Sequence, residues 1–153
     1  MTALLIAEHD NKSLKDSTSK ALTAAKALGG DVHILVAGKD AKAVADAAAK
    51  LDGVKKVLLA DGAAYEHALA EPMAALIVSL AGPYDAILAP ATNNGKNVMP
   101  RVAALLDEIG VLGPVLLDDE LAVGIEELGG HRRAGEVGDD AHARRGEGRR
   151  RGD

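Results

Sequence analysis

Cysteine is absent from the 153 residues, and with it go disulfides, thiolate zinc sites and cysteine nucleophiles. Phe and Trp are absent as well, leaving Tyr65 and Tyr84 as the only aromatic rings of the chain. Without a row of rings there is no stacking platform for single-stranded nucleic acid. Any core must then be built from Ala, Val, Leu and Ile. No basic leader or long apolar segment precedes the opening TALLIAEH run, so we expect no signal peptide, transit peptide or membrane insertion, and a cytoplasm of bacterial type.

Charge is present but unevenly divided. Residues 129–153 hold seven of the eight Arg and no Lys against five acids, for about +2, whereas residues 1–128 hold ten Lys, Arg101 and eighteen acids, for about −7. Those last 25 residues also contain seven Gly but only three Ala and one Val. Such a composition cannot bury a core, and we expect 129–153 to be a disordered Gly/Arg-rich tail. It reads as a solvated mixed-charge tail or, less simply, as a basic nucleic-acid arm whose field the interspersed acids weaken. A third reading is out-of-frame translation of a GC-rich gene, because Gly, Arg and Ala have GC-rich codons and the Lys-to-Arg switch is abrupt.

The first part of the chain carries the fold. Short apolar runs at 3–9, 32–37, 54–60 and 85–90 suit strands buried on both faces of a parallel sheet. Between them, Leu14, Thr18, Ala21, Leu22, Ala25 and Leu28 have helical spacing, with Ser13 and Asp16 as a capping box and Gly29-Gly30 as a stop. An Ala-rich helix is expected over about 41–51 with Asp40 as its N-cap. Pro72 fits only a first turn, so the third helix is expected to start near Ala70, with Tyr65–Leu69 as a separate turn. Val98, Val102, Leu105, Leu106 and Ile109 form the apolar face of a fourth.

Alternating strands and helices give an open, doubly wound parallel α/β sheet of about five strands. Gly113–Asp119 is the candidate fifth strand in a 3-2-1-4-5 order. The domain then runs from 1 to 118, with 119–128 as a weakly structured extension. In such a sheet ligands bind at the carboxyl ends of the strands, where the strand order reverses. That switch point lies between strands one and four, at His9-Asp10-Asn11 and at APATNNGKNVMPR, Ala89–Arg101.

The second stretch is not a P-loop, because Gly95-Lys96 is followed by Asn97 rather than Ser or Thr, and Pro90 stands where the first Gly is needed. A dinucleotide fingerprint after strand one is absent too. Pro100 tolerates only a first turn, so the fourth helix is expected to start between Asn97 and Met99 with Asn97 as cap. Two readings stand. Thr92, Asn94, Gly95, Lys96 and Asn97 offer a modest anion site at a helix start, or they simply make the joint between strand and helix. His9 and Asp10 are a weaker acid/base pair, and His33 reads as a satisfied strand residue. The five His show no metal-ligand spacing, so no metal site is expected, and with no G-x-S-x-G elbow no catalytic residue is visible.

The runs AEHDNKSLKDSTSKALTAAKALGGDVHILVAG and YEHALAEPMAALIVSLAGPYDAILAPATNNGKNVMPRVAALLD resemble the N-terminal domain of the electron transfer flavoprotein alpha subunit, nearly without gaps from Leu4 to about Asp107. The family pattern P-A-T-x-x-G-K-[ND]-x-x-P-R is met by Pro90 through Arg101. The resemblance implies an adenine nucleotide alpha hydrolase-like fold used as scaffold and subunit interface. It implies a heterodimer with the beta subunit and an electron carrier rather than a catalyst. That carrier serves acyl-CoA and other dehydrogenases of fatty acid β-oxidation and delivers to a membrane quinone reductase. FAD belongs mainly to the alpha subunit's C-terminal domain, whose S-G-R-G-like run is missing here. The family pattern is lost after about Ile109, so the chain reads as truncated or frame-disrupted, without FAD of its own and inactive alone. The alternative is a stress-type α/β module binding AMP or ATP at Asn94–Asn97, against which stands the lack of that module's phosphate loop.

Overall fold

A computed structural model describes residues 1–109 and 125–129. The first strand, β1 (Thr2–Ile6), alternates its side chains between two cores, with Leu4 and Ile6 on one face and Leu5 and Ala7 on the other. The same alternation runs through β2 (Asp31–Gly38) and β3 (Val54–Asp61). Helices α1 (Asp16–Ala27) and α2 (Lys42–Ala49) cover the face of Leu5, while α3 (Ala70–Leu80) and α4 (Asn93–Ile109) cover the face of Leu4. Between β3 and α3 lies a 3-10 turn, Ala63–Tyr65, and before α4 the short β4 (Ala86–Leu88).

Strands β1 to β4 are all parallel and stand in the order β4-β1-β2-β3. This is the expected doubly wound sheet, with the switch point between β1 and β4. The fifth described strand, β5 (Ile125–Gly129), pairs antiparallel to β3 at the opposite edge, Lys56 against Gly129 and Ala60 against Ile125. Its residues fall in the segment expected as a weak extension and on the first residue of the expected tail. The run Gly113–Asp119, expected beside β4, and residues 130–153 lie outside the described residues.

A core without Phe or Trp is closed by small side chains. Ala41, Val44, Ala45 and Ala48 are fully buried, so α2 can sit close on the sheet. Tyr65 fills the other face, and its burial pushes the phenol pKa up. Each buried Leu, Ile or Val contributes about 1.5–3 kcal/mol relative to exposure.

Three helix starts differ from the sequence expectation. At α1 the Ser13–Asp16 capping box does not form: Ser13 donates through N–H and hydroxyl to Asp10 instead. Thr18, fully buried, ties α1 to β1 by accepting from the Glu8 N–H at 2.9 Å and donating to the Glu8 carbonyl at 3.2 Å. At α2, Asp40 sits at φ +53 and makes no side-chain cap; its N–H donates to the Asp61 carboxylate at 2.9 Å. At α4 the helix begins one turn earlier than expected, leaving Pro100 inside it. The third helix starts at Ala70 with Pro72 in its first turn, as the sequence predicts.

Candidate functional site at the sheet switch point

The β4 side of the switch point is built by shape. Pro90 is buried at the strand end, and Thr92 precedes the first residue of α4. The Thr92 carbonyl accepts from the Lys96 N–H at 2.9 Å, and its hydroxyl oxygen accepts from the Gly95 N–H at 3.4 Å. Thr92, not Asn97, is therefore the cap. A Cβ at Gly95 would collide with the Pro90 carbonyl oxygen; only glycine lets the first turn lie against the strand end. Buried Val98 and Val102 then seat α4 on the α3 face.

Pro100 inside a helix forfeits the bond to the Lys96 carbonyl and crowds it, a cost on the order of 3 kcal/mol. Lys96 and Pro100 are both exposed. Arg101 reaches α3, its Nη1 donating to Glu71 Oε1 at 2.9 Å. Both partners of that pair are well exposed, so it contributes at most about 1 kcal/mol.

The expected site residues divide. Thr92, Asn94 and Gly95 face the crevice between β1 and α4, whereas Lys96 and Asn97 are exposed to solvent. The crevice, lined among others by Ile6, Glu8, Met73 and Val98, has a volume of about 10 Å³. That is about one water. Ligand pockets measure roughly 300–1,000 Å³. The acid that lines it, Glu8, is paired with Lys15 at 3.7 Å and accepts the Ser17 hydroxyl at 2.6 Å. A crevice of this size, with a carboxylate at its wall and no ring to stack on among the described residues, does not fit a flavin or a nucleotide.

The β1 side is built by polar side chains. His9 donates from Nε2 to the Ala37 carbonyl at 3.0 Å and accepts from the Asn11 N–H on Nδ1 at 3.0 Å. These bonds set a neutral tautomer, and burial lowers its pKa below 6.5. Asp10 instead shapes its own turn, accepting from the Lys12 and Ser13 N–H groups, which lowers its pKa to about 2. His9 and Asp10 are thus committed to different partners and not to each other. Asn11, at φ +68, donates to the Glu66 carbonyl at 2.8 Å and accepts from the Lys39 N–H at 3.1 Å. Sequence reasoning missed this network, since its members lie on three loops with no shared motif.

A second hollow of about 450 Å³ opens at the amino ends of the strands, beside Thr2, His33, Lys56, Leu80 and Tyr84. His33 Nδ1 and the Tyr84 hydroxyl lie 2.9 Å apart with the rings edge to face, so His33 is a satisfied strand residue, as expected. Among the described residues no three His, Asp or Glu gather as metal ligands, and no helix is long and apolar enough to cross a membrane.

Residues 3–108 match the family model described as the electron transfer flavoprotein domain. Over 111 residues the chain is 78% identical to the electron transfer flavoprotein subunit alpha of Bradyrhizobium diazoefficiens, covering 72% of this chain and 35% of that protein. The subunits alpha of Paracoccus denitrificans and Pseudomonas aeruginosa are 61% and 59% identical over 108 and 107 residues, each covering 70% of this chain and 35% of the relative. The chain therefore spans about a third of the length of these curated relatives. With a match across most of the described fold, including the Pro90–Arg101 joint, the chain belongs to the electron transfer flavoprotein family, on the alpha-subunit side.

Proposed function

We propose that this chain is the scaffold and subunit-interface part of an electron transfer flavoprotein alpha subunit. In this reading FAD is held by a part of the intact protein that lies beyond these residues. The partner is the electron transfer flavoprotein beta subunit, and the intact complex carries electrons from acyl-CoA and other dehydrogenases to a membrane quinone reductase in a bacterial cytoplasm. The chain is an electron-carrier part, not a catalyst, and is inactive alone. The observation that carries the reading is the pairing of a family match over residues 3–108 with a switch-point crevice of about 10 Å³. Thr92, Asn94, Gly95, Lys96 and Asn97 then serve as a joint that sets α4 on the sheet, and not as a ligand site. In this reading the sheet includes β5 (Ile125–Gly129), and the Gly/Arg-rich composition that follows it is of out-of-frame origin.

The test is purification of the 153-residue chain with and without a beta subunit, followed by visible absorbance. We expect co-purification with the beta subunit and no flavin bands on the isolated chain. Stoichiometric flavin on the chain alone overturns the reading. The tail is decided by the gene: a flavin-domain coding sequence in a neighbouring frame beyond the codon for Ile109 supports it, and its absence from all three frames refutes it.

A further inference from the structure

The loops that follow β1, β2 and β3 meet at His9 and Asn11. His9 bridges the Ala37 carbonyl at the end of β2 and the Asn11 N–H in its own loop. Asn11 extends the bridge to the Lys39 N–H and to the Glu66 carbonyl in the turn after β3. A Cβ at Gly38 would collide with the Asn11 amide oxygen and come within 2.8 Å of His9 Cε1. Gly38 thus leaves His9 and Asn11 the space that a side chain would take. Nδ1 can accept only while it carries no proton; a second ring proton would place N–H against N–H.

We propose that His9 is an acid-released staple, which joins the three loops at the carboxyl edge of the sheet while neutral and frees them when it is protonated. Charged groups surround it on each element. Glu8, Asp10 and Lys15 stand on the β1 loop, Lys39 and Asp40 follow β2, and Glu66 follows β3. Asp10 favours the imidazolium and Lys15 opposes it, Glu8 is paired with Lys15, and Lys39 lies 3.5 Å from Glu66. Burial outweighs these charges and favours the neutral ring. The sign follows. The folded-state value is lowered, so the staple is complete above 6.5, the value of a free imidazole, and is lost progressively as pH falls from there towards the folded value. The inference does not depend on the flavoprotein reading.

Nitrogen-labelled full chain, followed by NMR and hydrogen exchange from about pH 8 to about pH 5, tests it. We expect the His9 ring as the Nε2–H tautomer, titrating below 6.5, the value of a free imidazole. Protection of the Asn11 and Lys39 amides should fall about tenfold per pH unit below 6.5 until the folded value is passed. Protection of the Ala7 amide, which donates to the Leu35 carbonyl, should hold. His9→Gln should abolish that slope. The proposal is overturned if His9 titrates at or above 6.5, if Asn11 and Lys39 lose no more protection than Ala7, or if His9→Gln keeps the slope. Where His9→Gln does not fold, the wild-type titration and exchange decide alone.

Discussion

The two flanks of the switch point solve one problem by different means. On the β4 flank, Gly95 against the Pro90 carbonyl and Thr92 at the helix start hold α4 through shape and short-range backbone bonds. On the β1 flank, His9 and Asn11 hold three loops through side-chain hydrogen bonds reaching 28 and 55 residues along the chain. The first depends on volume and ignores pH. The second depends also on the protonation of one ring.

Substitutions can break that contrast. Gly95→Ala should do most damage, about 2–3 kcal/mol, because the strand end and α4 must part to admit a methyl group. Its cost, read by urea denaturation, should be the same at pH 7.5 and at roughly pH 5.5, as no titrating group is involved. Asn11→Ala comes next, at about 2 kcal/mol, since it deletes two bridging bonds and leaves an alanine at positive φ. Unlike Gly95→Ala, its cost should shrink on acidification, because the staple it removes is already loosened. Equal pH dependence in the two variants would erase the distinction.

Smaller effects sharpen the picture of α4. Thr92→Ala should cost about 1 kcal/mol as a lost cap, while Asn97→Ala costs almost nothing. The reverse ranking would restore the later helix start that Pro100 suggests. Arg101→Ala should lower stability by less than about 1 kcal/mol, measured by the thermal midpoint, and less still in high salt.

Much of this fold is legible in the sequence because it rests on local periodicity. Alternation in β1 to β3, the Ala-rich stripe of α2 and the position of Pro72 each act within a few residues. The start of α4 is not, because the first turn is fixed by Gly95 against Pro90 and by buried Val98 and Val102, contacts that the local proline rule does not weigh. Caps at Ser13 and Asp40 fail for a related reason: Asp10 captures the Ser13 N–H and hydroxyl, and the Asp61 carboxylate captures the Asp40 N–H. For the site, the Pro90–Arg101 pattern marks the family, yet the pattern alone does not say that Lys96 and Asn97 face solvent while Gly95 packs on Pro90. The edge chosen by β5 is likewise a matter of tertiary pairing, invisible in the alternation of its own residues.

We propose that the carboxyl edge of this sheet is a closed joint among the described residues, taking up neither flavin nor nucleotide. Fluorescence titration of FAD against the purified chain, with AMP and ATP followed by calorimetry, measures it directly. No saturable binding of any of the three is expected, in the wild type and in Thr92→Ala alike. Saturable micromolar binding that Thr92→Ala weakens would contradict it.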